Sequence, residues 1–126
     1  MDTKNHCLKI ETGEAPKFYD ITNEIESIID KTNFISGVVV VFSKHTTAGI
    51  IIQENEPLLL DDFSTLLGSV APIDKEYNHN NFEIRTVHMH EDECPNGHSH
   101  CQHILIGTSE TIPVICLLYT SDAADE

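Results

Sequence analysis

The sequence describes a short and strongly acidic chain. It has 126 residues, with 21 acidic against 7 basic side chains and a formal net charge of −14. This length predicts a single domain with a modest core. The charge argues against a nucleic-acid partner, and the lack of about 18 consecutive apolar residues argues against a membrane span. The N-terminus has no secretion signal, so we expect a cytoplasmic protein with reduced cysteines.

Two amphipathic helices are predicted. Isoleucines recur at helical spacing over residues 21–31, and Asp20 or Thr22 can cap the start of that helix. Pro57 is suited to the first turn of a second helix, whose broad apolar face continues to Gly68.

Strands are predicted around these helices. Four consecutive valines indicate a strand over residues 37–43 that is buried on both faces. Further short apolar or alternating runs predict strands at 7–11, 49–53, 82–87 (or an extended arm), 103–107, and from 112 after a turn at 108–111. The order β-α-β-β-α-loop-β-β predicts an α+β fold with a mostly antiparallel sheet.

Residues 88–103 form a histidine-rich stretch. It holds five of the eight histidines and two of the four cysteines, and imidazole and thiolate are preferred zinc ligands. Cys94 and Cys101 lack zinc-finger spacing. Composition leaves open a metal site and a solvated loop. His45 follows the valine strand and is equally consistent with a residue that faces a cleft or with a hydrogen-bonded turn histidine.

Four separated motifs resemble the YjbQ family of secondary thiamine-phosphate synthases. They are His45-Thr-Thr-Ala-Gly-Ile50, Gln53-Glu-Asn-Glu56, Tyr77-Asn-His79, and Asn96-Gly-His-Ser-His100 leading into Gly107-Thr-Ser-Glu-Thr-Ile-Pro-Val114. The resemblance covers about residues 6–115. It implies a small α+β sandwich that assembles as a homotrimer, with a histidine-bound metal in some members.

The resemblance also implies site residues, carried over by position. The metal-binding histidines fall on His45, His79 and His100, with zinc as the expected ion. Catalytic side chains are expected at His45, Thr46, Asn55, Asp62 and Ser109. The histidines without a fixed counterpart are His88, His90, His98 and His103.

The implied activity joins a pyrimidine diphosphate to a thiazole phosphate and releases pyrophosphate, so the expected partner is a small phosphate-bearing substrate. The sequence lacks a glycine-rich phosphate loop and, apart from Arg85, has no arginine near these motifs. One alternative is a metal-dependent hydrolase or lyase acting on another small molecule. The other is a metal-binding trimer without catalysis.

The resemblance ends at Ile115. The family pattern would continue with a segment containing Trp, and this chain has no Trp. Residues 116–126 instead correspond to a transposase sequencing adapter translated in frame. We therefore expect a domain over residues 1–115 that lacks its last strands, followed by an adapter-derived tail over residues 116–126.

Overall fold

The computed structural model describes residues 2–115. These residues contain α1 (Thr22–Lys31), β1 (Ser36–Phe42), α2 (Pro57–Val70), a 3-10 helix (Asn78–Asn80), α3 (Gly97–Ile106) and β2 (Ser109–Ile115). The two strands pair in an antiparallel sheet. Together with the helices, this sheet gives the predicted α+β fold.

The described residues form two compact units, one made of residues 2–39 with 111–115 and the other of residues 40–110. In the first unit, none of the described residues is fully buried. In the second, the fully buried residues come from the end of α2 and from α3. All residues to which the sequence assigned a site role lie in this second unit.

Carboxylates fix the starts of the first two helices. Asp20 Oδ1 accepts hydrogen bonds from the backbone N–H of Thr22 at 3.0 Å and from its hydroxyl at 2.6 Å. The Glu56 carboxylate accepts from the backbone N–H groups of the two residues after Pro57, at 3.1 and 2.6 Å. Such bonds satisfy N–H groups that have no partner within the helix. Both predicted helices are confirmed, and α2 begins at Pro57 as predicted.

The end of α2 is joined to α3 by a buried hydrogen bond. The Gln102 side chain, only 5% exposed, donates through Nε2 to the carbonyl oxygen of Ala71 at 3.1 Å. Ala71 and Leu67 are the buried apolar residues at this junction, at 3% and 8% exposed. Because an unpaired buried amide is costly, this bond favours one placement of α3 along the end of α2.

The predicted strand at 103–107 is wrong, because residues 103–106 belong to α3 and Gly107 ends the helix at φ +90°. A short apolar run does not distinguish a strand from a buried helical segment. The tertiary contacts decide in favour of the helix. His100 and His103 both form hydrogen bonds with the segment 46–48, and residues three apart share a face only in a helix.

Three other predicted strands are also wrong. Residues 7–11 have no regular structure and are exposed, so they have no core face. Residues 49–53 approach the end of α3 through one backbone hydrogen bond, from Ile50 N to Gly107 O at 3.3 Å, but they do not form a strand. Residues 82–84 form a turn and residues 85–87 have no regular structure, so no strand is present there. The strands predicted at 37–43 and from 112 are confirmed as β1 and β2, although β2 begins earlier, within the predicted turn. The prediction that the first of these strands is buried on both faces is wrong, because Val38, Val40 and Phe42 on one face are about 60% exposed.

The sequence argued against a membrane span and assigned residues 116–126 to a tail. Among residues 2–115, no helix combines the length and the apolar character needed to cross a bilayer. Residues 116–126 lie outside the described residues, so the adapter-derived tail and the missing last strands stay predictions.

Replacing Gly97 by alanine tests the packing at the start of α3. A Cβ there would lie 2.7 Å from Tyr77 Cβ and 2.8 Å from Tyr77 Cγ, so one of the two backbones must move. We expect Gly97→Ala to lower the free energy of unfolding by about 1–3 kcal/mol in urea titrations.

The matched control is Gly68→Ala in α2, where an added Cβ meets no heavy atom within 4 Å. Because alanine favours helix over glycine, this change should raise the free energy of unfolding by about 0.5–1 kcal/mol. Similar effects of the two substitutions would contradict the close contact at Gly97.

Candidate active site

Two imidazole rings from separate elements meet in the second unit. His79 belongs to the 3-10 helix and His100 to the first turn of α3. Their ring centroids are 4.7 Å apart and their planes are inclined at 81°, so one ring presents its edge to the face of the other. Both residues are half-buried. This imidazole pair (His79 and His100) is the centre of the candidate site.

Backbone carbonyls determine which ring nitrogen carries the proton in two of the α3 histidines, His100 and His103. His100 Nδ1 is 3.1 Å from the carbonyl oxygen of Thr46, and His103 Nδ1 forms a hydrogen bond with the carbonyl oxygen of Ala48. A carbonyl oxygen only accepts, so both Nδ1 atoms must donate. In the neutral rings, Nε2 therefore keeps its lone pair, which suits it to accept a proton or to bind a metal.

Burial and a neighbouring histidine keep His100 neutral. Desolvation is the main cause that lowers the pKa of His100 below its usual value of 6.5, and the positive charge that His79 can carry lowers it further. The hydrogen bond to the Thr46 carbonyl acts in the opposite direction. At pH 7 the ring is therefore neutral, with a free lone pair on Nε2.

Arg85 holds the loop that follows His79. Its Nη1 donates to the carbonyl oxygen of His79 at 3.3 Å and to the Glu93 carboxylate at 2.7 Å. Nη2 donates to the carbonyl oxygen of His88 at 2.6 Å, and Nε donates to that of Val87 at 3.2 Å. The hydrogen bond from Arg85 lowers the pKa of Glu93, so the carboxylate stays charged at neutral pH. Arg85 thereby ties the backbone at His79 to the histidine-rich stretch.

His98 and His103, to which the sequence assigned no role, also make contacts in this unit. His103 bonds to the segment 46–48, as described above. His98 is 6% exposed, with Nε2 at 3.3 Å from the Ser99 hydroxyl and Nδ1 buried without a hydrogen-bond partner among the described residues. Helical spacing would have connected His100 with His103, had residues 97–106 been predicted as a helix. No sequence signal pointed to the burial of His98.

The structure brings some of the predicted site residues together. His79, His100 and the carbonyl group of Thr46 are in contact. His45 is exposed, and within residues 2–115 its ring makes no hydrogen bond or ring contact. In the same range, no three His, Cys, Asp or Glu side chains are arranged to hold a metal ion. Two of the predicted zinc ligands are thus adjacent, and the full set of three stays a prediction.

The other predicted catalytic residues lie on the surface of the second unit. Asn55 and Asp62 are exposed, just before α2 and within it, and Ser109 is exposed at the start of β2. These positions alone do not connect them with the imidazole pair, so their assigned roles stay predictions.

The imidazole pair predicts a specific titration behaviour. The proton NMR titration midpoint of His100 should lie below 6.5, and His79→Phe should raise it without restoring 6.5, because burial is the larger cause. The folded pKa is lower than the unfolded one, so the unfolded chain binds the proton first as the pH falls. The free energy of unfolding should therefore decrease from about pH 6.5 down through the folded midpoint. A His100 midpoint above 6.5 would contradict the buried pair.

Comparison with known proteins covers nearly the whole described chain. The sequence profile of the family described as "UPF0047 protein YjbQ-like" matches residues 6–116. The chain is 31% identical over 115 residues to a UPF0047 protein of Methanothermobacter thermautotrophicus, which covers 91% of this chain and 73% of the relative. It is 32% identical over 83 residues to the UPF0047 protein YugU of Bacillus subtilis, covering 65% and 63% of the two chains.

Solved structures give the same assignment. A protein of the YjbQ/UPF0047 family from Clostridium acetobutylicum, 32% identical, superposes with a TM-score of 0.69 over 84% of this chain and 73% of that one. A YbjQ-like protein of unknown function from Sulfolobus solfataricus, 24% identical, has a TM-score of 0.71 over 84% and 69% of the two chains, and this likeness shows the fold alone. On the sequence profile and these relatives together, the chain belongs to the UPF0047 family of YjbQ-like proteins.

Proposed function

We propose that this protein is an enzyme of the thiamine-phosphate synthase type that acts on small phosphate-bearing molecules at the imidazole pair. The observation that carries the proposal is the contact between His79 and His100, with Nδ1 of His100 held by the Thr46 carbonyl. A half-buried imidazole with a fixed tautomer and a free Nε2 is suited to proton transfer or to ligand binding near neutral pH. The motifs around His45, Tyr77 and Asn96 support this class of reaction.

In this reaction the thiazole nitrogen bonds to the methylene carbon of the pyrimidine, and the bond from that carbon to the diphosphate oxygen breaks. The diphosphate leaves with the electron pair, so negative charge grows on its oxygens. A ring N–H of His79 can donate to such an oxygen, and the partial burial of both rings strengthens that interaction. The pair would thus stabilise the leaving group, and the Thr46 carbonyl would keep His100 in position.

The zinc site on His45, His79 and His100 is part of the proposal. Two of these rings are adjacent, and the hydrogen bond from His100 Nδ1 to a carbonyl is the usual support for a metal-binding histidine. His45 directly precedes Thr46, whose carbonyl oxygen accepts the hydrogen bond from His100. Rotation of the exposed His45 side chain would supply the third ligand. A bound zinc ion would neutralise charge on the phosphate oxygens.

The assembly and the location are proposed with the same function. We expect a cytoplasmic homotrimer. The exposed apolar side chains of α2 support association, since Leu58, Leu66 and Val70 are 72%, 59% and 53% exposed, and Leu66 and Val70, four residues apart, share one face of the helix.

A second candidate function is the hydrolysis or elimination of a small molecule with less charge. The observation that favours it is the neutral state of His100, which burial stabilises and which suits a general base. The strongly acidic chain also attracts a diphosphate less than a neutral substrate.

Substitution of the paired histidines tests the proposal. The 126-residue chain, with and without added zinc, would be assayed for thiamine phosphate and for released pyrophosphate. His79→Asn and His100→Asn should each reduce turnover by about 100-fold or more, because the first removes the donor to the leaving group and the second removes the ring that packs against that donor. Both should also lower the zinc bound per chain.

His88→Asn is the matched control. His88 is exposed, has φ +53°, and asparagine tolerates this left-handed conformation. Its turnover should stay within about twofold of the unsubstituted chain. Turnover of a phosphate-free substrate without pyrophosphate release would favour the second candidate. Unchanged turnover in His100→Asn would refute both.

A further inference from the structure

A polar cleft lies beside the imidazole pair, and the roles proposed for the pair do not involve the residues that line it. Its volume is about 340 Å³ and it is open to solvent on one side. The residues that line it precede and follow His79 in the sequence. The lining residues are Lys75, Glu76, Tyr77, Asn78, Asn80 and Asn81. None of them was given a catalytic or metal-binding role by the sequence.

Two of the asparagines have their side-chain amides oriented by hydrogen bonds. Asn80 Oδ1 accepts from the backbone N–H of Gly97 at 2.9 Å, and Asn81 Oδ1 accepts from that of Glu83 at 3.3 Å. Since the oxygen of each amide is fixed by an N–H donor, the NH₂ group is on the other branch. Within residues 2–115 neither Nδ2 group makes a hydrogen bond. Both remain available as donors to a ligand.

A lysine adds positive charge to these donors. Lys75 Nζ lies 5.7 Å from the centre of the Tyr77 ring, a distance at which the ring face attracts the ammonium group. The Tyr77 hydroxyl donates to the carbonyl oxygen of Pro72 at 2.6 Å, so the ring is itself held in place. The attraction to the Tyr77 ring therefore favours positions of the ammonium group close to the cleft.

We infer that this cleft binds the phosphate group of a small molecule. Lys75, Asn80 and Asn81 provide three donor groups, which match the three free oxygens of a phosphate ester better than the two of a carboxylate. Glu76 in the same cleft opposes negative charge and so limits the affinity. The inference deepens the proposed function and rests on it for one point, namely that the phosphate belongs to the molecule handled at His79 and His100.

Binding of inorganic phosphate is the direct test. The side-chain amide signals of Asn80 and Asn81 would be followed by NMR during titration of the 126-residue chain with phosphate at pH 7, and separately with acetate at the same ionic strength. Phosphate should shift both amides in a saturable manner. Acetate should bind at least about fivefold more weakly, since it has fewer oxygens to occupy the donors.

Charge substitutions assign the binding to the cleft. Lys75→Met should weaken phosphate binding by about fivefold or more, and Glu76→Gln should tighten it by about twofold to fivefold. Lys17→Met is a closely matched control, because Lys17 Nζ lies 5.5 Å from the Tyr19 ring in the same manner but does not line the cleft. It should change phosphate affinity by less than about twofold.

The outcomes separate this inference from the proposed function. Equal effects of Lys75→Met and Lys17→Met, or equal binding of acetate and phosphate, would overturn the phosphate site. A chain that forms thiamine phosphate but shows no phosphate-induced shift at Asn80 or Asn81 would also overturn it, and the proposed function would stand. Saturable phosphate binding in a chain without synthase turnover would support the cleft and refute the proposed function.

Discussion

The close approach of α3 to the 3-10 helix is the contact on which the second unit depends. Gly97 lies so near the Tyr77 ring that any larger side chain would overlap it, and its N–H is bonded to the Asn80 side chain. This contact brings His79 and His100 together, because each is a few residues from it. It also orients the Asn80 amide that lines the cleft. One glycine therefore determines both the imidazole pair and the donor arrangement beside it.

Backbone carbonyls do the corresponding work on the other side of α3. The segment 46–48 presents two carbonyl groups, and His100 and His103 donate to them from adjacent turns of the helix. An interaction of this kind fixes the ring orientation and the tautomer at once, since a carbonyl has no proton to give. In one and the same orientation, each of these two histidines can support the fold and take part in chemistry. Their Nδ1 atoms support the fold, and their Nε2 atoms remain free for chemistry.

The histidine-rich stretch has two different roles along its length. Its first part, near His88, is exposed and is held by the Arg85 side chain, which bonds to three backbone carbonyls and to Glu93. Its second part is the beginning of α3, where His98 is buried and His100 is half-buried. A density of histidines in the sequence is therefore a poor guide to the site. The more informative feature is which of these histidines lie on a helix and are at least partly buried.

Local patterns in the sequence were sufficient to predict the first two helices, the strands β1 and β2, the family, and the adjacency of His79 and His100. These features depend on apolar periodicity, on Pro57 at a helix start, or on motifs that keep their spacing. The same patterns could not predict the structure of residues 97–106, because a short apolar run fits a helix and a strand equally well. That point depends on the folded chain, where hydrogen bonds from His100, Gln102 and His103 reach distant carbonyls that a helix alone can satisfy together. The hydrogen bond between His100 and Thr46, and the one that orients Asn80, join residues that are far apart in the sequence, so no local pattern could predict them.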